Sequence, residues 1–109
     1  MIIREDYDLE FMYNDFTKFE WDQHKNEINI KKHHIDFEDA KYVFTDPDRI
    51  VNYDLTHSRS ENRFIVIGQV GDIILVVFTI RSGDTARIVS ARSATSKEVN
   101  EYYDGYFYD

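Results

Sequence analysis

Cysteine is absent from the 109 residues, so neither a disulfide nor a thiolate metal site can be built. Proline occurs once, as Pro47, and the four glycines are scattered, which leaves no Gly-rich phosphate loop and no low-complexity linker. No apolar run approaches the ~20 residues needed to cross a bilayer. Met1-Ile2-Ile3 leads straight into charge, not into a signal-peptide pattern. A cytoplasmic protein with no membrane association is therefore expected. Positive charge is also scarce, with 13 Lys and Arg against 21 Asp and Glu and a net charge of −8. That balance argues against a general nucleic-acid binder, whose footprint would be basic.

What the chain has in plenty is apolar and aromatic surface. Hydrophobic residues make up 42% and aromatics 16%, including eight Phe and eight Tyr. This is enough for one core and excludes general disorder. Charge is unevenly spread. Residues 1–22 carry an excess of five acids, whereas residues 49–92 carry an excess of two bases, every one an arginine. The middle of the chain can thus form a local anion site on an acidic protein. Residues 1–18, with Tyr7, Phe11, Tyr13 and Phe16 among carboxylates, read as an acidic aromatic appendage. Alternation over Leu9–Tyr13 allows a short strand there. Residues 19–109 read as a single domain.

The domain is organised around Ile73–Arg92. Residues 73–80 form a nearly unbroken β-branched and aromatic run, the pattern of a strand covered on both faces. Ser82-Gly83-Asp84 is a turn, and Ala86–Ala91 a second strand. Upstream, Lys18–Trp21 alternates as a short strand. Asp22 is a helix N-cap, with the helix reaching about Lys32. Its few apolar positions, Ile28 and Ile30, predict a mostly exposed helix. Asp36 caps a second helix, where Phe37, Ala40, Val43 and Phe44 make a buried stripe, and Asp46-Pro47 ends it. Arg49–Tyr53 is a brief strand, Asp54–Glu61 a polar loop, and Phe64–Ile67 a strand turning through Gly68–Asp72. Thr95 and Glu98 have capping-box spacing. The last helix is predicted to run to about Tyr103, with Val99, Tyr102 and Tyr103 inward and Gly105 ending it. Strand, two helices, a four-strand meander and a helix give an α+β fold with a mostly antiparallel sheet.

Chemistry-bearing residues are few. His33 and His34 are adjacent and cannot form an i, i+4 metal pair, and His24 lies too far off to complete one. No metal and no cofactor is expected. His57 is either a solvated loop histidine or a proton carrier. Trp21 is either a core residue or, with Tyr53, a platform for bases. The arginines stand at strand ends, either solvated at the sheet edge or presented to a ligand. Arg63, Arg81, Arg87 and Arg92, with Glu61 and His33 or His57, suit phosphodiester chemistry without metal. Arginine binds phosphate and stabilises developing charge while His or Glu moves a proton. On RNA the 2′-hydroxyl is itself the nucleophile.

Phe19-Glu20-Trp21-Asp22, Lys25, Asn29, Lys32-His33, Phe37-Glu38-Asp39-Ala40 and Val43-Phe44-Thr45-Asp46-Pro47 resemble the front half of the BrnT toxins. Glu61-Asn62-Arg63-Phe64, Gly68, Leu75–Thr79, Arg81, Arg87–Arg92, Ala94 and the Glu98…Tyr102 helix resemble the back half. The resemblance covers about residues 19–103 and implies a fold similar to the RelE ribonucleases. It implies a type II toxin that cleaves RNA, stops translation, and is neutralised by a BrnA-like ribbon-helix-helix antitoxin. DNA is then met only through that antitoxin. Carried over, it makes Arg63, Arg81, Arg92, His33 and Glu61 candidates for catalysis, and Arg87, Lys32 and Trp21 candidates for substrate binding. Where the family has Lys-His-Gly, this chain has Lys32-His33-His34, so either His34 takes the left-handed conformation at some cost or the turn differs. The competing expectation is a toxin-like module that binds an antitoxin-like partner with little catalysis.

Overall fold

A computed structural model describes residues 16–54 and 61–108. The possible strand at Leu9–Tyr13 lies outside the described residues, as do His57 and most of the polar loop. In chain order the elements are β1 (Lys18–Glu20), α1 (Gln23–His33), α2 (Phe37–Ala40), a 3₁₀ segment (Lys41–Thr45), β2 (Ile50–Tyr53), β3 (Phe64–Val70), β4 (Asp72–Arg81), β5 (Thr85–Ser93) and α3 (Ser96–Asp104). The five strands form one sheet in the order β1-β5-β4-β3-β2. Strands β2 to β5 are the expected antiparallel meander, whereas β1 lies parallel to β5. A parallel neighbour needs a crossover, and the sequence supplies it as everything from α1 to β4.

The caps sit where the side chains predict them. Asp22 accepts the Lys25 backbone N–H and Asp36 that of Glu38, while Thr95 and Glu98 form a complete capping box. His34 is left-handed, at φ 60 and ψ 29, and donates its N–H to the Ile30 carbonyl. The stripe on the second helix is buried throughout, but its last turn tightens to 3₁₀ geometry before Pro47. Strand β3 runs further than expected. Gly68 lies within it, opposite Ile74, and the turn is made by Gly71 at φ 71. The strand passes so close to the 3₁₀ segment that a Cβ at residue 68 would stand 2.7 Å from Val43 Cγ2. Tyr103 is also corrected: it is 69% exposed, and Glu101 is buried in its place.

Both faces of the sheet carry packed residues along most of β4, which is why β4 is apolar without alternation. On one face, Phe16, Phe44, Phe64 and Phe78 build an aromatic cluster with α2 and the 3₁₀ segment, with the Phe44 and Phe78 rings edge-on at 4.9 Å. Phe16 thereby belongs to the core, and Thr17 and Lys18 donate their N–H groups to the Asp84 carbonyl. On the other face α3 lays Tyr102 over Ile50, Ile67 and Leu75. Tyr102 donates to Asp46 at 2.6 Å, and Asp46 also accepts the backbone N–H groups of Gln69 and Asp48. Burial pushes the Asp46 carboxyl up, but these hydrogen bonds outweigh it and hold it below the ordinary value.

Candidate functional site: an arginine face beside the last helix

Residues opposed across a ladder share a face, and alternate residues along a strand swap faces. Leu75, Val77, Thr79 and Arg81 therefore point to the α3 side of β4. Arg92 stands opposite Leu75 and Arg87 opposite Thr79, so both join that side. On the far edge Glu20 stands opposite Arg87. Phe64 pairs with Phe78, and continuing that register by one residue puts Arg63 beside Thr79. Arg63, Thr79, Arg87 and Glu20 thus make one row across the sheet, with Arg81 one step along. Helix α3 covers the half of this face around Leu75; in the other half Thr79 is buried, while the Arg81 and Arg87 side chains are substantially exposed.

Glutamates meet each of the three β-strand arginines. Arg81 binds Glu61 at 2.9 Å and Arg87 binds Glu20 at 2.8 Å. Both pairs are substantially exposed, so each holds by about 0–1 kcal/mol and can exchange for another anion. Arg92 differs. Its two terminal nitrogens donate to the two Glu98 oxygens at 2.8 and 3.0 Å, and Glu98 also accepts the Thr95 N–H. Burial raises the Glu98 carboxyl, but the bonds from Arg92 and Thr95 outweigh it and hold it low. The same bond from Glu98 holds Arg92 above its ordinary value. Arg92 is therefore fastened to the start of α3. Arg92→Ala should lower stability by about 1 kcal/mol, discounted for partial exposure, or roughly 5 °C of melting temperature. A thermal melt that does not move would deny Arg92 this anchoring role.

The other candidates lie elsewhere. Trp21 packs on the aromatic face, edge-on to Phe37 at 6.0 Å. Lys32 and His33 end α1, where His33 lines a cleft with His34, Asp39, Asp72 and Ser93. The structure brings Arg63, Arg81, Arg87 and Glu61 together and leaves Lys32, His33 and Trp21 apart from them. It adds Glu20, which in the sequence is only one residue of a short alternating strand. Only the parallel pairing of β1 reveals its partner. Among the described residues no three metal-ligating side chains converge, and no helix is long and apolar enough to cross a membrane.

The family described as ribonuclease toxin, BrnT, of type II toxin–antitoxin system matches residues 21–98. Among solved structures, the 1.1 Å crystal structure of the Brucella abortus ribonuclease toxin BrnT is 28% identical and has a TM-score of 0.57. The match covers 72% of this chain and 97% of that one. No curated protein matches. With most of its length matched by the family and a similar fold in that structure, the chain belongs to the BrnT family of ribonuclease toxins of type II toxin–antitoxin systems.

Proposed function

We propose that the chain is itself an endoribonuclease toxin and that the arginine row is where it holds the scissile phosphate. The observation that carries this reading is the register of β3, β4 and β5, which gathers Arg63, Arg81 and Arg87 on one sheet face. The phosphate would displace Glu61 and Glu20 from Arg81 and Arg87. Freed of Arg81, Glu61 is placed to take the proton from the RNA 2′-hydroxyl. The 2′ oxygen then bonds to phosphorus as the bond to the 5′ oxygen breaks, and the 5′ oxygen takes a proton from water. Arginine stabilises the charge that builds on the phosphoryl oxygens. Nothing in this scheme calls on a metal, and neutralisation is assigned to a BrnA-like ribbon-helix-helix antitoxin.

Incubating purified protein with RNA in excess EDTA tests the chemistry. The expected products carry 2′,3′-cyclic phosphate and 5′-hydroxyl ends, read by mass spectrometry. Cleavage that stops with chelator and returns with magnesium, or that leaves 5′-phosphates, would overturn the scheme. The pairing of Arg81 and Arg87 with glutamate favours one second reading, a toxin-like protein that binds its partner and cuts poorly. A partner-free protein that folds, binds antitoxin and leaves RNA intact would be that protein.

A further inference from the structure

We infer that the groove between α1 and the free edge of β5 is a second RNA subsite, which holds the strand beside the scissile phosphate. The inference rests on the ribonuclease reading and adds a surface outside the arginine row. Strand β1 covers β5 only as far as Arg87. Just beyond, β5 carries an extra residue, because Val77 faces Ser90 while Phe78 faces Ile88. Val89 is the bulged residue, and bulges re-aim side chains at strand edges and beside active sites. Helix α1 runs along this edge, pinned to it where the Asn29 amide bonds the Ala91 backbone. Between helix and bulge lies a groove of 190 Å³ lined by Lys25, Ile28, Asn29, Lys32, His33, Val89 and Ser90.

Three properties suit this groove to a single strand of RNA. First, Lys25, Ile28, Asn29 and Lys32 are spaced three, four and seven apart, so they form one helical stripe. The two lysines stand about 10 Å apart along the helix axis. Second, Lys25, Lys31 and Lys32 make no ion pair among the described residues, although each β-strand arginine meets a glutamate. On a chain of net charge −8, these α1 lysines are left for an outside anion. Third, Ile28, half exposed, and Val89 give the groove an apolar side against which a base can rest, while lysines take the phosphates as point charges. The groove begins two residues past Arg87 on the same strand edge, so one strand can run from the arginine row into it.

The test is equilibrium binding of a 2′-O-methyl RNA 12-mer, which cannot be cut, to the full chain and to its Lys25→Gln/Lys32→Gln variant over a range of salt. Thermal melts check folding. Two lost phosphate contacts should weaken binding roughly tenfold at low salt and flatten the log–log salt slope by about 1.4. Unchanged affinity and slope overturn the subsite. A variant that binds RNA normally but no longer retains a co-expressed antitoxin also overturns it, because the groove then belongs to a protein. Cleavage of ordinary RNA by the wild-type chain is scored separately. Lysine-dependent binding without cleavage keeps the subsite and removes the ribonuclease reading, and cleavage with lysine-independent binding does the reverse.

Discussion

Arg81→Ala should lower RNA cleavage by roughly 10²–10³, the loss of about 2.7–4 kcal/mol of transition-state stabilisation. Arg81 is placed at the end of β4, one step from the row formed by Arg63, Thr79 and Arg87, and its guanidinium reaches Glu61. Removing it would take away a donor to the phosphoryl oxygens and the partner that Glu61 holds until phosphate arrives. Folding should survive, because the side chain is exposed and its pair with Glu61 contributes little. Expressed without antitoxin, the wild-type chain should arrest growth, and the Arg81 variant should relieve that arrest at equal soluble amounts. Arg92→Ala gives the contrast, since Arg92 is bound to Glu98 at the start of α3. Its loss should appear in the melting temperature before it appears in turnover. Full cleavage by folded Arg81→Ala protein would remove the arginine row from the chemistry.

The arginines were legible as residues but not as a set. Nothing in the order Arg63, Arg81, Arg87 fixes which way each points, because one residue of register moves a side chain to the opposite face. The extra residue at Val89 reverses the parity of β5 between Arg87 and Arg92, and strict alternation would have separated them. Glu20 needed the parallel pairing of β1, a long-range contact that a three-residue strand does not announce. Local chemistry was easier to read. Asp22, Asp36 and Thr95 cap their helices because their carboxylates and hydroxyl meet backbone N–H groups within three residues. His34 takes the left-handed angle where the family has glycine. Tyr103 misled because adjacent positions on a helix point about 100° apart, so a single inward stripe could take Tyr102 and not its neighbour.

The deepest gap concerned α1. Read by hydrophobic pattern it is an exposed helix with little to hold it, and Ile28 is indeed 50% exposed. Its buried residues are instead Asn26 and Asn29, three apart on one face. The Asn26 amide donates to Asp36 and accepts the Phe37 N–H, coupling α1 to the cap of α2. The Asn29 amide donates to the carbonyls of Ile35 and Ala91 and accepts the Ala91 N–H. At Ala91 that amide replaces the neighbouring strand that β1 is too short to provide. It also blocks an edge that would otherwise be open to pairing with another chain. Polar anchoring of this kind leaves no apolar period to detect.

That anchoring leads to the largest expected loss of stability. Asn29→Ala removes three hydrogen bonds, leaving the Ala91 N–H and carbonyl, both buried, and the part-buried Ile35 carbonyl without that partner. The expected cost is about 2–4 kcal/mol, or roughly 10–20 °C in melting temperature for a domain of this size. Asn29→Asp separates hydrogen bonding from volume. Its carboxylate can still accept the Ala91 N–H but faces two carbonyls to which it cannot donate, so its charged form is disfavoured and its pKa in the folded protein rises. Protonation restores one donor. The Asp variant should therefore lie furthest below wild type at neutral pH and recover part of the difference as pH falls through that raised value, whereas the Ala deficit should stay nearly constant with pH. Melts of both variants across pH 4 to 7 would decide it. An Ala variant that melts with wild type would mean that packing, not the Asn29 amide, holds α1 to the sheet.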